Sequence, residues 1–407
     1  MKNFKNLDKI NWDFNDALTN FGVHSFHWYL GTYIPQIPSI LISNFTNRGE
    51  TVLDPFCGGG TTLVEAMKLR RRSIGVDSNI LAHLISKVKT TMIDNAILEQ
   101  EIQKIINKID NDAMILKSDK FFLTDNEKTS QLKAEICKHI PDFPDKEEWF
   151  HHRTLLEIGL IKLHIDDLKN QDFKDFCTIA FSDRLKYLSI HKTRNYGYIA
   201  DNCVNKNYKK EYNNAIEAFE RKLTFMGNEM RKFLDDNLDS NEKISSLNDL
   251  NTVHRADCRN LNFINDNSID FVVTSPPYPT TIDYTTGHRL SFYWLGHNIE
   301  SINSMKENEI GPRFKRRLKE KALIDYCHDM EQSLGEIHRV MKDGSYFSLV
   351  FGEMGKRIDG VTIEDEIQRI CKETLGFTLS KTIPRSITKQ RMGAKSIQRE
   401  CIYIFQK

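Results

Sequence analysis

Thr51-Val-Leu-Asp54-Pro-Phe56-Cys-Gly58-Gly59-Gly60-Thr61-Thr62 reads as a short apolar strand that runs into a triple-glycine turn and out into a helix. Adjacent glycines permit a tight turn and close backbone approach to a ligand, and the helix N-terminus offers unpaired N–H groups. Leu63, Ala66 and Met67 continue at helical spacing, and Ser73 to Asp77 forms a second strand, so the unit is β-α-β. Position 63 is Leu, which leaves the G-x-G-x-x-G dinucleotide fingerprint incomplete, and no G-x-x-x-x-G-K-[ST] loop occurs. Asp77 stands seventeen positions after Gly60 at the end of the second strand, where a carboxylate can accept both hydroxyls of a ribose. Nucleoside recognition without a pyrophosphate is the expected task. A packing turn with Asp77 as a helix N-cap is the alternative.

Outward from this unit the texture changes twice along the 407 residues. From Asp94 to Leu250, Ile, Leu and Phe recur at three-to-four spacing among polar residues, with amphipathic helices predicted over 97–109, 157–168 and 209–234. Strand texture returns at 252–256, 269–273 and 346–351. A helix over 323–341 closes at Lys342-Asp343-Gly344, and two further strands lie at 378–383 and 400–405. The fold class is therefore α/β. A doubly wound sheet is interrupted by a mostly helical insertion, giving a catalytic domain in two segments, 1–93 and 251–407, around an insertion at 94–250.

The glycine loop resembles motif I, D-P-F-x-G-x-G-T-T, of the S-adenosylmethionine-dependent DNA amino-methyltransferases, the cytosine-N4 and adenine-N6 family. The resemblance implies a Rossmann-like methyltransferase sheet with S-adenosyl-L-methionine as cofactor. It also implies that Phe56 packs on the cofactor, Gly58 and Gly60 line it, Thr61 lies near its methionine carboxylate, and Asp77 holds its ribose. Upstream, His24-Ser-Phe-His27-Trp28-Tyr-Leu30-Gly31-Thr32-Tyr33-Ile-Pro35-Gln-Ile-Pro38 resembles the family's motif X, F-H-P-Y-P-A-K-F-I-P-Q-I-P. Trp28, Leu30, Gly31 and Thr32 replace its Pro, Pro, Ala and Lys, and core packing is the expected job of Trp28 and Tyr33.

Ile269-Asp-Phe-Val-Val-Thr274-Ser275-Pro276-Pro277-Tyr278 is a buried-type strand ending in T-S-P-P-Y. In an open α/β sheet ligands bind beyond the carboxyl ends of the strands, so this loop and the glycine loop should share one crevice. The lone pair of an exocyclic amine is delocalised into its ring, and acceptors near the two N–H bonds favour a more nucleophilic, tetrahedral nitrogen. Ser275 Oγ and a carbonyl of the stiff Pro276-Pro277 turn supply such acceptors, and Tyr278 offers a face on which an extruded base can stack. The string resembles the family's motif IV, in which S-P-P-Y accompanies cytosine-N4 more often than adenine-N6 methylation. Cytosine-C5 chemistry would need a thiol here, and 274–284 contains no Cys. Ala256-Asp257-Cys258-Arg259 resembles the family's G-D-x-R, implying that Asp257 accepts from the cofactor's adenine amine.

Basic and acidic residues number 57 and 56, a net charge of +1, which excludes a protein that coats DNA on all sides. The charge is locally uneven. Gly311 to Lys321 includes Arg313, Lys315, Arg316 and Arg317, and Lys381 to Arg399 includes Lys389, Arg391 and Lys395, two runs suited to phosphate contact beside the T-S-P-P-Y segment. No run of about 18–20 apolar residues and no secretory leader is read, and the eight scattered cysteines suit a reducing compartment, so a cytoplasmic, nucleoid-associated protein is expected. Glu148, His151 and His152 fit no metal motif, and no metal is expected.

The expectation is a site-specific methyltransferase acting on the exocyclic amine of a flipped base in double-stranded DNA, cytosine N4 before adenine N6, with residues 94–250 as target-recognition domain. A companion restriction endonuclease is compatible with it. RNA methylation and a non-catalytic DNA-binding subunit are the competing readings.

Overall fold

A computed structural model describes residues 4–118, 127–190, 212–239, 242–387 and 399–407. Among them one sheet is formed by β1 (Thr51–Asp54), β2 (Arg72–Asp77), β3 (Asn251–Arg255), β4 (Ile269–Thr274), β5 (Met341–Gly352), β6 (Thr378–Ser386) and β7 (Arg399–Gln406). Its order is β3-β2-β1-β4-β5-β7-β6, with β3 to β5 parallel and β7 and β6 antiparallel. The chain winds one way from β1 through β2 to β3, then starts again on the other side of β1 with β4. The switch point thus falls between β1 and β4, whose carboxyl ends carry the glycine loop and the T-S-P-P-Y loop.

The helices are α1 (Gln36–Phe45), α2 (Thr61–Lys68), α3 (Ile80–Thr90), α4 (Asn95–Ser118), α5 (Glu127–Lys138), α6 (His152–Asp166), α7 (Gln171–Leu188), α8 (Ala215–Asn237), α9 (Ile299–Asn308) and α10 (Glu320–Val340), with several shorter turns. Period-two alternation sorts the strand side chains onto two faces. Val52, Phe271, Val273, Val350, Ile402 and Ile404 pack under α1 and the N-terminal Leu7 and Trp12. Leu53, Val272, Phe347, Leu349, Phe351 and Phe405 pack under α10, which offers Leu323, Tyr326, Met330, Leu334 and Ile337 at three-to-four spacing.

Helices α4 to α8 fall between β2 and β3, and they share one apolar cluster with α2 and α3 of the glycine-loop unit. The insertion therefore adds to the core beside the site and has no separate core of its own. A buried side chain continues the join: Lys222 of α8 pairs with Asp183 of α7 at 3.1 Å and donates across to the Ser25 carbonyl at 3.0 Å. One expected cap lies elsewhere. Helix α10 ends at Val340, and Gly344, at φ +73°, sits inside β5 beside the register shift against β4, where its N–H donates to the Lys407 carbonyl. No described helix is long and apolar enough to cross a membrane.

Phe271 is fully buried at the switch point and stacks on Phe45 at 5.2 Å. Phe271→Ala should cost about 3–5 kcal/mol, read as a fall in the urea midpoint.

Candidate active site

Asp54 ends β1 fully buried and gathers the elements of the switch point. Thr274 Oγ1, at the end of β4, donates to Oδ1 at 2.6 Å, and the Phe56 N–H reaches the same oxygen at 3.1 Å. Thr62 of α2 donates to Oδ2, and the Tyr33 hydroxyl bonds Thr62 in turn. Burial raises the carboxyl to about 6 against the pull of these donors. Both loops and the motif X segment are thereby tied to one carboxylate.

A first cavity of about 380 Å³ opens above the glycine loop, lined by Phe56, Gly58, Thr61, Asp77 and Asp257. Asp77 accepts the Gly58 N–H on Oδ2 and the Asn79 N–H on Oδ1, both at 2.9 Å, and burial lifts its carboxyl to about 6. Each oxygen retains acceptor capacity beyond these contacts. Asp257 is half exposed and paired with Arg259, which holds its carboxyl low; Arg259 also pairs with Asp329 at 2.7 Å. Gly60, expected to line the cofactor, turns away from the cavity. Its φ is +77°, and a Cβ there would meet Ser86 of α3 at 2.9 Å, so this glycine serves close packing of loop on helix. Gly59 lines the cavity in its place, its carbonyl held at 2.9 Å by Lys89, a buried ammonium that burial lowers to about 7. Cys57 is buried, with its thiol pushed up by desolvation, and it acts as a small packing residue.

A second cavity, about 470 Å³, is lined by Ser275, Pro276 and Tyr278. Pro277 faces the first cavity, while Ser275, Thr61 and Tyr33 border both. Tyr33 is thus more than core packing, because it stands in the partition. Tyr278 is braced: its hydroxyl donates to Glu400 at 2.9 Å, Glu400 pairs with Arg385, and Arg385 Nε donates to the Trp12 carbonyl at 2.9 Å.

The stretch between Pro279 and Ile310 carries no motif, yet it roofs the first cavity with Tyr284, Thr285, Met305, Asn308 and Glu309. Lys356 fastens its start, donating to Thr280 Oγ1 at 2.8 Å and to the Pro279 carbonyl. Aromatic rings join the roof to motif X: Tyr284 stacks on Tyr29 at 5.8 Å, Tyr29 on His288 at 5.0 Å, and His288 on Trp28 at 4.3 Å, with Lys186 of α7 above Trp28. Trp28 therefore packs between the insertion and the roof and borders the second cavity. Nothing in the local sequence distinguishes the roof residues, because the chain folds them over the site from a stretch without a motif.

Arg313, Arg316 and Arg317 are exposed and Lys315 is half-buried in a short helical turn whose backbone bonds Ile282 and Asp283, next to the T-S-P-P-Y loop. The second basic run divides. Lys381 pairs with Asp8 and Arg385 with Glu400, which commits both to the fold. Lys389, Arg391 and Lys395 lie outside the described residues, as does the aromatic-basic stretch 191–198.

Residues 35–87, which hold the glycine loop and Asp77, match the N6/N4 methyltransferase family model, described as DNA methylase. The chain is 25% identical over 451 residues to Type II methyltransferase M.MvaI of Kocuria varians, spanning 96% of this chain and 91% of that protein. It is 23% identical over 412 residues to Type II methyltransferase M.MjaII of Methanocaldococcus jannaschii, spanning 85% and 76%. Among solved structures, a SAM-dependent methyltransferase of Methanosarcina mazei covers 90% of this chain and 96% of its own at 11% identity, with a TM-score of 0.34.

Thr274→Val removes one donor from the buried Asp54 carboxylate. It should destabilise the protein by about 1–3 kcal/mol and raise the Asp54 pKa further, checked by denaturant unfolding at pH 8 and pH 5.5. Protonation relieves the unmet charge, so the deficit should be smaller at the lower pH.

Proposed function

We propose that this chain, an amino-methyltransferase of the N4/N6 family, methylates the exocyclic amine of a base extruded from double-stranded DNA, cytosine N4 in preference to adenine N6. The observation that carries this reading is Ser275, which borders both cavities at the carboxyl end of β4, so that one side chain faces a nucleoside-type site and a base-sized site together. S-adenosylmethionine fits the first cavity's donor set: Asp77 keeps free acceptor capacity toward it, Phe56 offers an aromatic wall, and Gly58, at φ +48°, has no side chain to intrude. When bound, it supplies an electrophilic methyl group on a sulfonium.

The chain's own residues then have distinct jobs. Ser275 Oγ and the carbonyls of the Pro276-Pro277 turn accept from the amine hydrogens, which localises the nitrogen lone pair. Tyr278, held by Glu400, lines the base cavity and can stack on the base. Arg313, Lys315, Arg316 and Arg317 would contact phosphates from beside the loop, together with Lys389, Arg391 and Lys395. Residues 94–250 would read the target sequence, supported by the contact of α7 with motif X, where Ser182 Oγ bonds His27 at 3.0 Å. The preference for cytosine rests on S-P-P-Y in place of D-P-P-Y or N-P-P-Y.

Transfer of labelled methyl groups to unmodified genomic DNA, followed by mass spectrometry of the nucleosides, tests the reading. N4-methylcytosine supports it, N6-methyladenine reverses the base, and label in RNA alone or nowhere overturns it. Ser275→Ala should slow transfer by about 10²-fold while leaving the affinity for S-adenosylhomocysteine unchanged, as seen by calorimetry. The carboxyl of Asp77 accepts from ribose hydroxyls best when ionised, and burial holds it at about 6. The contribution of Asp77 to S-adenosylhomocysteine affinity should therefore be lost as pH drops through 6, and Asp77→Asn should weaken binding roughly ten- to hundredfold at pH 8.

A further inference from the structure

The roof contributes one charged group to the first cavity that no motif assigned. Glu309 follows the last residue of α9 and turns its carboxylate toward Thr285. Its Oε1 accepts the Thr285 N–H at 2.6 Å and the Thr285 hydroxyl as well. Its Oε2 is buried and has no hydrogen-bond partner among the described residues, although Glu309 lines the cavity. Lys306, the nearby cation, lies over the Phe314 ring at 4.9 Å and forms no ion pair with it among the described residues. A carboxylate oxygen left unpaired in a buried site is costly unless a donor arrives with the ligand.

The donors of the proposed cofactor identify what arrives. It has three groups able to donate: the ribose hydroxyls, the adenine amine and the α-ammonium. Asp77 and Asp257 are the acceptors expected for the first two, which leaves the ammonium, the one donor with a full positive charge. Position agrees. Thr285 follows Tyr284, Tyr284 stacks on Tyr29, and the Tyr29 ring covers Gly58, where an added Cβ would meet it at 3.2 Å. Glu309 also acts electrostatically on Tyr29, the ring that lies against Gly58 of the glycine loop, the end where the methionine moiety is expected. We propose that Glu309 binds the α-ammonium of S-adenosylmethionine, with Thr285 holding Oε1 and Oε2 left as the acceptor for the ligand. This rests on the first cavity being the cofactor site. Desolvation raises the Glu309 carboxyl to about 7, as for a carboxylate whose counter-charge belongs to a ligand.

The test compares two ligands by calorimetry on the full chain at pH 8. One is S-adenosylhomocysteine; the other is its desamino analogue, which keeps the adenosine, thioether and carboxylate but lacks the ammonium. The wild type should bind S-adenosylhomocysteine roughly ten- to hundredfold more tightly than the analogue. Glu309→Gln keeps an acceptor for Thr285 and removes the charge. It should lose that preference, weakening S-adenosylhomocysteine while leaving the analogue within about twofold. Unchanged analogue binding also shows that the variant is folded. Equal weakening of both ligands, or an unchanged preference, overturns the assignment of Glu309. A wild type that binds neither ligand overturns the cofactor reading itself.

Discussion

The carboxylate of Asp54 is the constraint around which the site is arranged. A fully buried ionisable group is unfavourable in isolation, and this one is acceptable because Thr274, Thr62 and the Phe56 amide converge on it. Each donor belongs to a different working part: the end of the strand that carries Ser275, the helix that opens at Thr61, and the glycine loop itself. Displacing any one of them leaves charge unmet in the interior. The desolvation cost of one group thus becomes a positional lock on three, and the partition between the cavities is held where β1 and β4 meet.

A similar logic governs the basic residues. Summing charge along the chain suggests that the run from Lys381 to Arg399 is available to a polyanion. In the fold, Arg385 is instead a buried brace for Glu400 and, through it, for Tyr278, while Lys381 is paired at the surface. The turn at Arg313 to Arg317 is different in kind, because Lys315, Arg316 and Arg317 form no ion pair among the described residues. Local sequence cannot separate these cases, since both are arginines and lysines in short polar segments. The difference lies in whether an acid from another part of the fold faces them.

Much of the architecture was legible because it rests on local rules. The glycine loop, the alternating strands and the three-to-four pattern of α10 are set by turn chemistry and burial period, and the two loops lie together as an α/β switch point requires. Asp77 and Ser275 were legible for the same reason: they stand at strand ends. Gly60 was legible as a glycine but not in its purpose, because its contact is with Ser86, on a different helix. Tyr284 and Glu309 were not legible at all. Their place depends on a roof assembled from turns between Pro279 and Ile310, held by Lys356 and by ring stacking on motif X, and pairings of that kind carry no period.

The insertion between β2 and β3 also sets a timetable. Strand β1 finds one neighbour early, since β2 follows within the same unit, but the hydroxyl that completes Asp54 belongs to a residue 220 positions later. At ribosomal rates of about 5–20 residues per second, a nascent β1 waits roughly ten to forty seconds for β4. During that interval helices α4 to α8 emerge and can cover α2 and α3, the apolar surfaces they share in the finished core. The helices that flank the glycine loop can thus gain their apolar cover before β4 arrives. The partition between the two cavities is therefore completed late, when β4 brings Thr274 to Asp54.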